Sequence, residues 1–356
     1  MSGVWGNKVK YSIFGESHGE SIGIVIDGLD PGIELDIESI KKEMERRAPG
    51  KNKLSTPRNE KDKFEIQSGL FQNKTTGTPL CAIIRNSNQH SKDYSKTKDL
   101  LRPGHADYSG RIKYNNFNDY RGGGHFSGRL TAPIVFAGAI AKQILKKKNI
   151  HIGSHILSIK NIKDVSFDKT NISESKLKEL VRMQFPLLDN SKNDIMQNTI
   201  LDAKDNKDSV GGIIECASIN IPVGLGSPFF QSVESTLSQL LFSIPAVKGV
   251  EFGLGFDITE LYGSEANDEY YLESDEIKTY SNNNGGILGG ITNGMPLVFK
   301  VAIKPTPSIA KKQRTVNIDA KENSELEVVG RHDPCIVQRA VPVVEAVTAM
   351  GILEYI

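Results

Sequence analysis

VGGIIECASINIPVGLGSPFFQSVESTLSQLLFSIPAVKGVEFGLGF, residues 210–256, carries the clearest signal of fold class. Gly212 to Ile221 is an apolar run of strand length, and Gly249 to Phe256 returns to the same pattern. Between them Ser232 to Ile244 has helical spacing, with Ser232 as cap and Pro245 as stop. Outward from this stretch the strand-helix order does not repeat. Strands are expected at Ser21–Ile26, Leu80–Arg85 and Leu297–Lys304. Helices are expected at Asp36–Ala48, from between Ser127 and Pro133 to the lysines at 146–148, and at Ser173–Phe185. A last helix is expected to open at Asp333-Pro334, with Asp333 as N-cap and Pro342 as a kink. Without regular alternation a doubly wound sheet is disfavoured, and the chain reads as α+β. Residues 161–209, rich in Lys, Asp, Asn and Ser, read as a peripheral insertion at about 160–210 in one domain spanning 1–356.

Composition narrows the function classes. The 44 Lys and Arg against 43 Asp and Glu leave a net charge of +1, so no global field draws the chain to nucleic acid or anionic lipid. Cys81, Cys216 and Cys335 form no CxxC pair and no disulfide framework, which fits a reducing compartment. The longest low-polarity stretch, Ala132 to Ala141, is half a membrane span, and the N-terminus lacks a signal-peptide core. The expectation is a cytoplasmic protein with no membrane partner. No GxxxxGK[ST] loop or HExxH pair occurs, and GVEFGLGF and GGILGG lack the GxGxxG spacing. Nucleotide-loop, zinc-protease and dinucleotide-fold readings fall away, and no metal site is expected. His151 and His155 are four apart, but the intervening IGS is not helix-like, so they do not read as a metal pair.

Chemistry concentrates in glycine-rich loops. GESHG (15–19) sets two glycines around Ser17 and His18, so amides and an imidazole can approach one ligand. RPGHAD (102–107) joins a five-donor guanidinium, Arg102, to His105, with Asp107 read as a cap for the segment after it. DYRGGGHFSGR (119–129) orders three consecutive glycines at an entropic cost, which implies that a ligand or chain lies against them. Ser127 and Arg129 then stand at a helix start, where free amides favour an anion or where Ser127 simply caps. Arg46, Arg47, Lys51, Lys53 and Arg58 form a basic loop broken by Pro and Gly, a clamp for an anion or a solvated face. KPTPS (304–308) ends a strand with the hydroxyls of Thr306 and Ser308 beside Lys304, and GRHDP (330–334) gathers Arg331, His332 and Asp333. Together these loops imply a site for a phosphate-bearing anion.

Taken in order, GESHG, RRAPG, RPGHADYSG, RGGG with SGR, GGILGGITNG, KPTPS and GRHDPCIVQRAVPVVEA resemble the chorismate synthase family from residue 15 to about 350. The resemblance implies a β-α-β sandwich with a helical layer between antiparallel sheets. It also implies conversion of 5-enolpyruvylshikimate 3-phosphate to chorismate, a 1,4-elimination of phosphate and a proton that needs reduced FMN without net redox change. By that resemblance His105 protonates the leaving phosphate, His18 stabilises the reduced flavin, and Asp333, through or beside the flavin's nitrogen 5, assists loss of the ring proton. Ser17, Arg47, Lys53, Arg102, Ser127, Arg129 and Arg331 would hold the substrate. His125, Phe126, Ser127, Pro245, Ala246, Gly289, Lys304, Pro305, Thr306, Pro307, Ser308 and Arg331 would hold FMN. The family pattern differs at His125-Phe126-Ser127-Gly128, often Arg-Ser-Ser-Ala, at Pro245, often Asn, and at Lys53, often Arg. A homotetramer is implied, with flavin reduced either by NADPH on the same chain or by an external flavin reductase. The competing readings are a flavin-independent phosphate-ester lyase or phosphatase and an RNA-binding protein, the latter opposed by the near-neutral charge.

Overall fold

A computed structural model describes residues 3–50, 54, 62–86, 98–328 and 332–356. Two compact units emerge, one from residues 1–137, 197–211 and 305–339, the other from 138–196, 212–304 and 340–356. The first holds a five-stranded antiparallel sheet in the order Val4–Trp5, Lys10–Gly15, Ser21–Asp27, Leu80–Arg85, Phe64–Ser68. Its central strand alternates as a sheet with one dry face requires, and Ile22, Ile24 and Ile26 are essentially sealed from solvent. The helix Ile37–Arg47 starts where the sequence places it, because the Asp36 carboxylate accepts the Ser39 amide at 3.0 Å. Ile40 and Met44 bury its apolar stripe, and Arg46 and Arg47 arrive in its last turn. The tilted ring contact of Phe64 with Phe136, centroids 4.9 Å apart, holds the start of the helix Thr131–Lys147 against the edge strand.

The second unit has its own five-stranded antiparallel sheet, ordered Val247–Phe252, Leu297–Ile303, Gly212–Ile219, His151–Ile159, Ile162–Lys163. The sequence reading misses His151–Ile159, because buried Ser154, His155 and Ser158 interrupt any apolar run. It also extends one strand too far, since after Phe252 the chain enters a 3-10 turn at Gly255–Glu260. The helix Glu174–Arg182, capped by Ser173, packs Leu177 onto Gly153, where a β-carbon would stand 3.1 Å from the leucine. Leu177 and Leu180 join Phe167, Ala217, Ile219 and Val298 in one apolar cluster. A β-carbon on Gly138 would stand 2.2 Å from that of Ala346, so glycine lets the two longest helices approach closely. The last helix begins at Val337, four residues after Asp333, and contains Pro342. The expected N-cap role of Asp333 is therefore wrong. Its carboxylate is turned onto Arg339 instead. The strands and helices form the antiparallel α+β fold expected. No helix among the described residues is long and apolar enough to cross a membrane.

His155 sits opposite Glu215 in register and is fully buried. Its Nδ1 lies 3.1 Å from Asp164 and its Nε2 2.9 Å from Glu215, so both nitrogens donate to carboxylates and the ring is held as imidazolium. Burial pushes its pKa down, but the hydrogen bonds to Asp164 and Glu215 outweigh burial and the net shift is upward. Asp164 is shifted the other way: burial raises it, and the bonds from His155 and the Leu188 and Asp189 amides more than reverse that. These opposite shifts set opposite pH dependences. The His155 contribution to stability is complete below the ordinary histidine range and is lost as pH rises through the raised folded value. The Asp164 contribution is present above the ordinary carboxylate range and is lost in acid. Urea midpoints measured from neutral to alkaline pH are expected to fall in the wild type and to stay flatter in His155→Gln. Coincident alkaline limbs would remove His155 from the stability balance.

Candidate active site

The groups that converge at this site belong to the first unit. The three glycines are bent through the left-handed region, with φ of 59°, 85° and 54° at Gly122, Gly123 and Gly124. What lies against them is the chain's own imidazoles. A β-carbon on Gly122 would stand 2.1 Å from His18 Cε1, and one on Gly123 would stand 3.1 Å from His105 Nε2. Two histidines 87 positions apart in sequence, 105 less 18, thus converge on adjacent backbone units. The Ser17 amide donates to the Gly124 carbonyl at 3.1 Å, which locks GESHG to the same loop. Ser17 and His18 are buried. GESHG also satisfies the bare GxSxG string of a hydrolase nucleophile elbow, but it joins strand Lys10–Gly15 to strand Ser21–Asp27, so the strand-turn-helix context of an elbow is absent.

RPGHAD closes on itself. Asp107 accepts from the Arg102 amide at 3.0 Å and from its Nε and Nη2 at 2.7 Å each. It also meets His105 Nδ1 at 2.7 Å. That contact is shorter than the 3.2 Å between Arg102 Nη2 and the same nitrogen, and a carboxylate only accepts, so Nδ1–H donates to Asp107. Nε2 is left facing Gly123. Burial would raise the Asp107 carboxyl, but hydrogen bonds from Arg102 and His105 hold it well below the usual carboxylate range. Asp107 makes no cap at the helix Asp107–Lys113. It is the anchor of Arg102 and His105.

A buried ion cluster, absent from the sequence reading, holds two expected substrate cations. Asp62, with a fully buried side chain, binds Arg47 at 2.6 Å and also pairs with Arg129. Arg47 further donates to Thr131 Oγ1 at 3.0 Å and the Gly128 carbonyl at 2.9 Å. Arg129 donates to Asn86 Oδ1 at 3.0 Å, and Asn86 donates to the carbonyls of Glu16 and Gly19 at 3.1 and 3.0 Å. Arg339 pairs with Asp333 and donates to the Arg47 carbonyl at 3.1 Å. One hydrogen-bonded path therefore runs from Asp333 to the His18 loop. Burial would raise the Asp62 carboxyl, yet the charges of Arg47 and Arg129 carry it below its ordinary value. Two guanidiniums against one carboxylate leave one net positive charge. Asp62 and Asn86 belong to no motif, and Arg339 stands in the GRHDPCIVQRAVPVVEA stretch with no role read for it there. Only the basic character of the 46–58 loop hinted that a buried counter-charge was needed.

The remaining candidates divide by unit. Ser127 caps the short turn Gly128–Leu130 through the Arg129 amide at 3.3 Å. His125 is exposed, and its Nδ1 donates to the Gly15 carbonyl at 2.9 Å. Phe126 packs on Gly110, where a β-carbon would stand 2.6 Å from the ring. Among the described residues the buried Oγ of Ser17, Oγ1 of Thr306 and Nε2 of His332 have no hydrogen-bond partner. Pro305 and Pro307 flank Thr306, and Ser308 is buried. Pro245, Ala246, Gly289 and Lys304 belong to the second unit, where Lys304 donates its amide to the Ala246 carbonyl at 2.9 Å and Ala246 has a strained φ of 76°. Gly289 is exposed with open space at its α-carbon. Lys53 and Arg331, together with Gly330 and Arg58, lie outside the described residues. No His, Cys, Asp or Glu cluster fit for a metal occurs among those described.

Comparison with known proteins places this geometry in a family. The sequence model of the family described as chorismate synthase matches residues 9–356. The chorismate synthase of Methanocaldococcus jannaschii is 48% identical, over 99% of this chain and 96% of the relative. That of Dehalococcoides mccartyi is 47% identical with the same coverage. A crystal structure of a chorismate synthase superposes with a TM-score of 0.77 at 30% identity, over 99% of this chain and 92% of that one. A match of this extent in sequence and backbone leaves one assignment: the chain belongs to the chorismate synthase family of carbon-oxygen lyases.

Proposed function

We propose that the chain converts 5-enolpyruvylshikimate 3-phosphate to chorismate and phosphate by a 1,4-elimination that requires reduced FMN. The observation that carries the reading is the convergence of His18 and His105 on Gly122 and Gly123, with Arg102 tied to His105 through Asp107. A phosphate and two carboxylates on one small ring call for forked cations beside a proton donor. Arg102 stands beside the proton donor, and the Arg47–Asp62–Arg129 group adds its net positive charge with both guanidinium planes fixed. Ser17, Ser127, Lys53 and Arg331 complete the proposed substrate contacts.

The residues present fit a flavin. The buried, unpartnered Oγ1 of Thr306, between Pro305 and Pro307, suits a large ring with polar edges. His125, Phe126, Ser127, Pro305, Thr306, Pro307, Ser308 and Arg331, with Pro245, Ala246, Gly289 and Lys304, are the residues we assign to hold it. Reduced FMN, when bound, supplies electron density to the substrate ring without net redox change. This chain's side chains do the rest. His105, its Nδ1 fixed by Asp107, presents Nε2 to protonate the departing phosphate. Asp333, oriented by Arg339, serves the side from which the ring proton leaves. His18, buried against Gly122, is assigned to the flavin side. The assembly we propose is a cytoplasmic homotetramer, its flavin reduced by NADPH on the chain or by an external reductase.

Anaerobic incubation with photoreduced FMN and 5-enolpyruvylshikimate 3-phosphate bypasses the question of reductant. Equimolar phosphate and chorismate are expected, and neither without flavin. Equal phosphate release in the absence of flavin would instead establish a flavin-independent lyase or phosphatase.

A further inference from the structure

His332 follows Arg331 in the GRHDP loop and has no role in the chemistry above. Its Nε2 is shut off from solvent and has no hydrogen-bond partner among the described residues. Natural proteins seldom leave a buried ring nitrogen unsatisfied unless a ligand or water completes it. The charged groups that act on this ring are Arg102 and His105 from the RPGHAD loop and Asp333 from its own loop. Burial lowers its pKa first, the Arg102 charge lowers it further, and Asp333 opposes them, leaving a value of about 4. The ring is neutral at neutral pH. It therefore cannot act as the proton donor that the neighbouring His105 is assigned to be.

We propose that His332 is a substrate-binding residue, a neutral imidazole whose Nε2–H donates to an anionic oxygen held beside Arg102 and His105. The inference rests on the functional reading above and extends it, adding a third donor to the anion site. Neutrality has a chemical consequence. A further full cation beside Arg102 would strengthen phosphate binding in substrate and product alike, whereas a neutral N–H orients the group without adding charge that product release must overcome. An anionic oxygen at Nε2 also selects the Nε2–H tautomer, because the other tautomer would set a lone pair against it.

The test uses the full chain and inorganic phosphate as probe, titrated calorimetrically at pH 7.5. His332→Leu is expected to bind phosphate about tenfold more weakly, the usual effect of losing one hydrogen bond to a charged group. His332→Gln, which keeps a donor, is expected to recover most of that loss. In the ligand-free wild type, the His332 ring signals, assigned by their absence from the leucine variant, should not move between pH 5.5 and 8. Equal affinity in His332→Leu and wild type overturns the inference, as does a His332 resonance that titrates near 6.5. A loss of binding that glutamine does not restore, accompanied by a lower melting temperature, assigns the residue to packing and also overturns it. Phosphate binding does not depend on turnover. A chain that shows the His332 effect but makes no chorismate therefore refutes the proposed function and leaves this inference standing.

Discussion

Asp62→Ala is expected to cost about 3–5 kcal/mol of unfolding free energy, the range for removing one partner of a buried ion pair. The side chains of Arg47 and Asp62 are 4% and 0% exposed, and that of Arg129 is 3% exposed. Without the carboxylate two guanidiniums face one another out of water, and neither can shed its proton. Each retains hydrogen bonds to neutral groups, Arg47 to Thr131 and Gly128 and Arg129 to Asn86, so desolvated charge is the main loss. Urea unfolding followed by circular dichroism measures it as a lower midpoint at unchanged slope. Asp62→Asn, which keeps an acceptor but no charge, should fall between wild type and alanine. A midpoint shift worth less than about 1 kcal/mol in the alanine variant would place this cluster among solvated surface pairs.

His105→Ala should reduce turnover by about a hundredfold or more, the usual loss when a positioned general acid is removed. The geometry makes this variant cleaner than most. His105 contributes one ring contact to Asp107, whereas Arg102 holds the same carboxylate through three donors, so the RPGHAD loop keeps its shape without the imidazole. Substrate affinity, carried mainly by the cations, should change much less than kcat. Single-turnover measurement with photoreduced FMN separates the chemical step from product release. Wild-type turnover in the variant would remove His105 from phosphate departure and shift attention to His18.

Much of the fold was legible because its signals are local. Asp36 and Ser232 are side-chain caps that the sequence announces, and each accepts the amide it should. The strands Ser21–Asp27, Leu80–Arg85 and Leu297–Ile303 alternate visibly, since one face of each is dry. His151–Ile159 escaped because its polar side chains are made tolerable only by groups distant in sequence, Glu215 sixty residues away among them. Asp333 misled for a different reason. Asp-Pro before an apolar run is a good helix start in isolation, and the nearby Arg339 captured the carboxylate instead.

From residue order alone came the α+β class, the helix boundaries set by caps and prolines, and the loops that carry His18, His105 and Arg102. Residue order also foretold that something would press against Gly122 to Gly124, because three ordered glycines are too costly to be idle. The folded chain was needed to reveal what that was: two of its own imidazoles, brought onto neighbouring backbone units. Folding alone paired Asp62 with Arg47, 15 positions away, and with Arg129, 67 positions away. The reason is physical. Caps, turns and periodicity are written within a few residues, whereas a buried charge finds its partner wherever the fold brings one within about 3 Å, and the low dielectric of the interior leaves little tolerance for its absence.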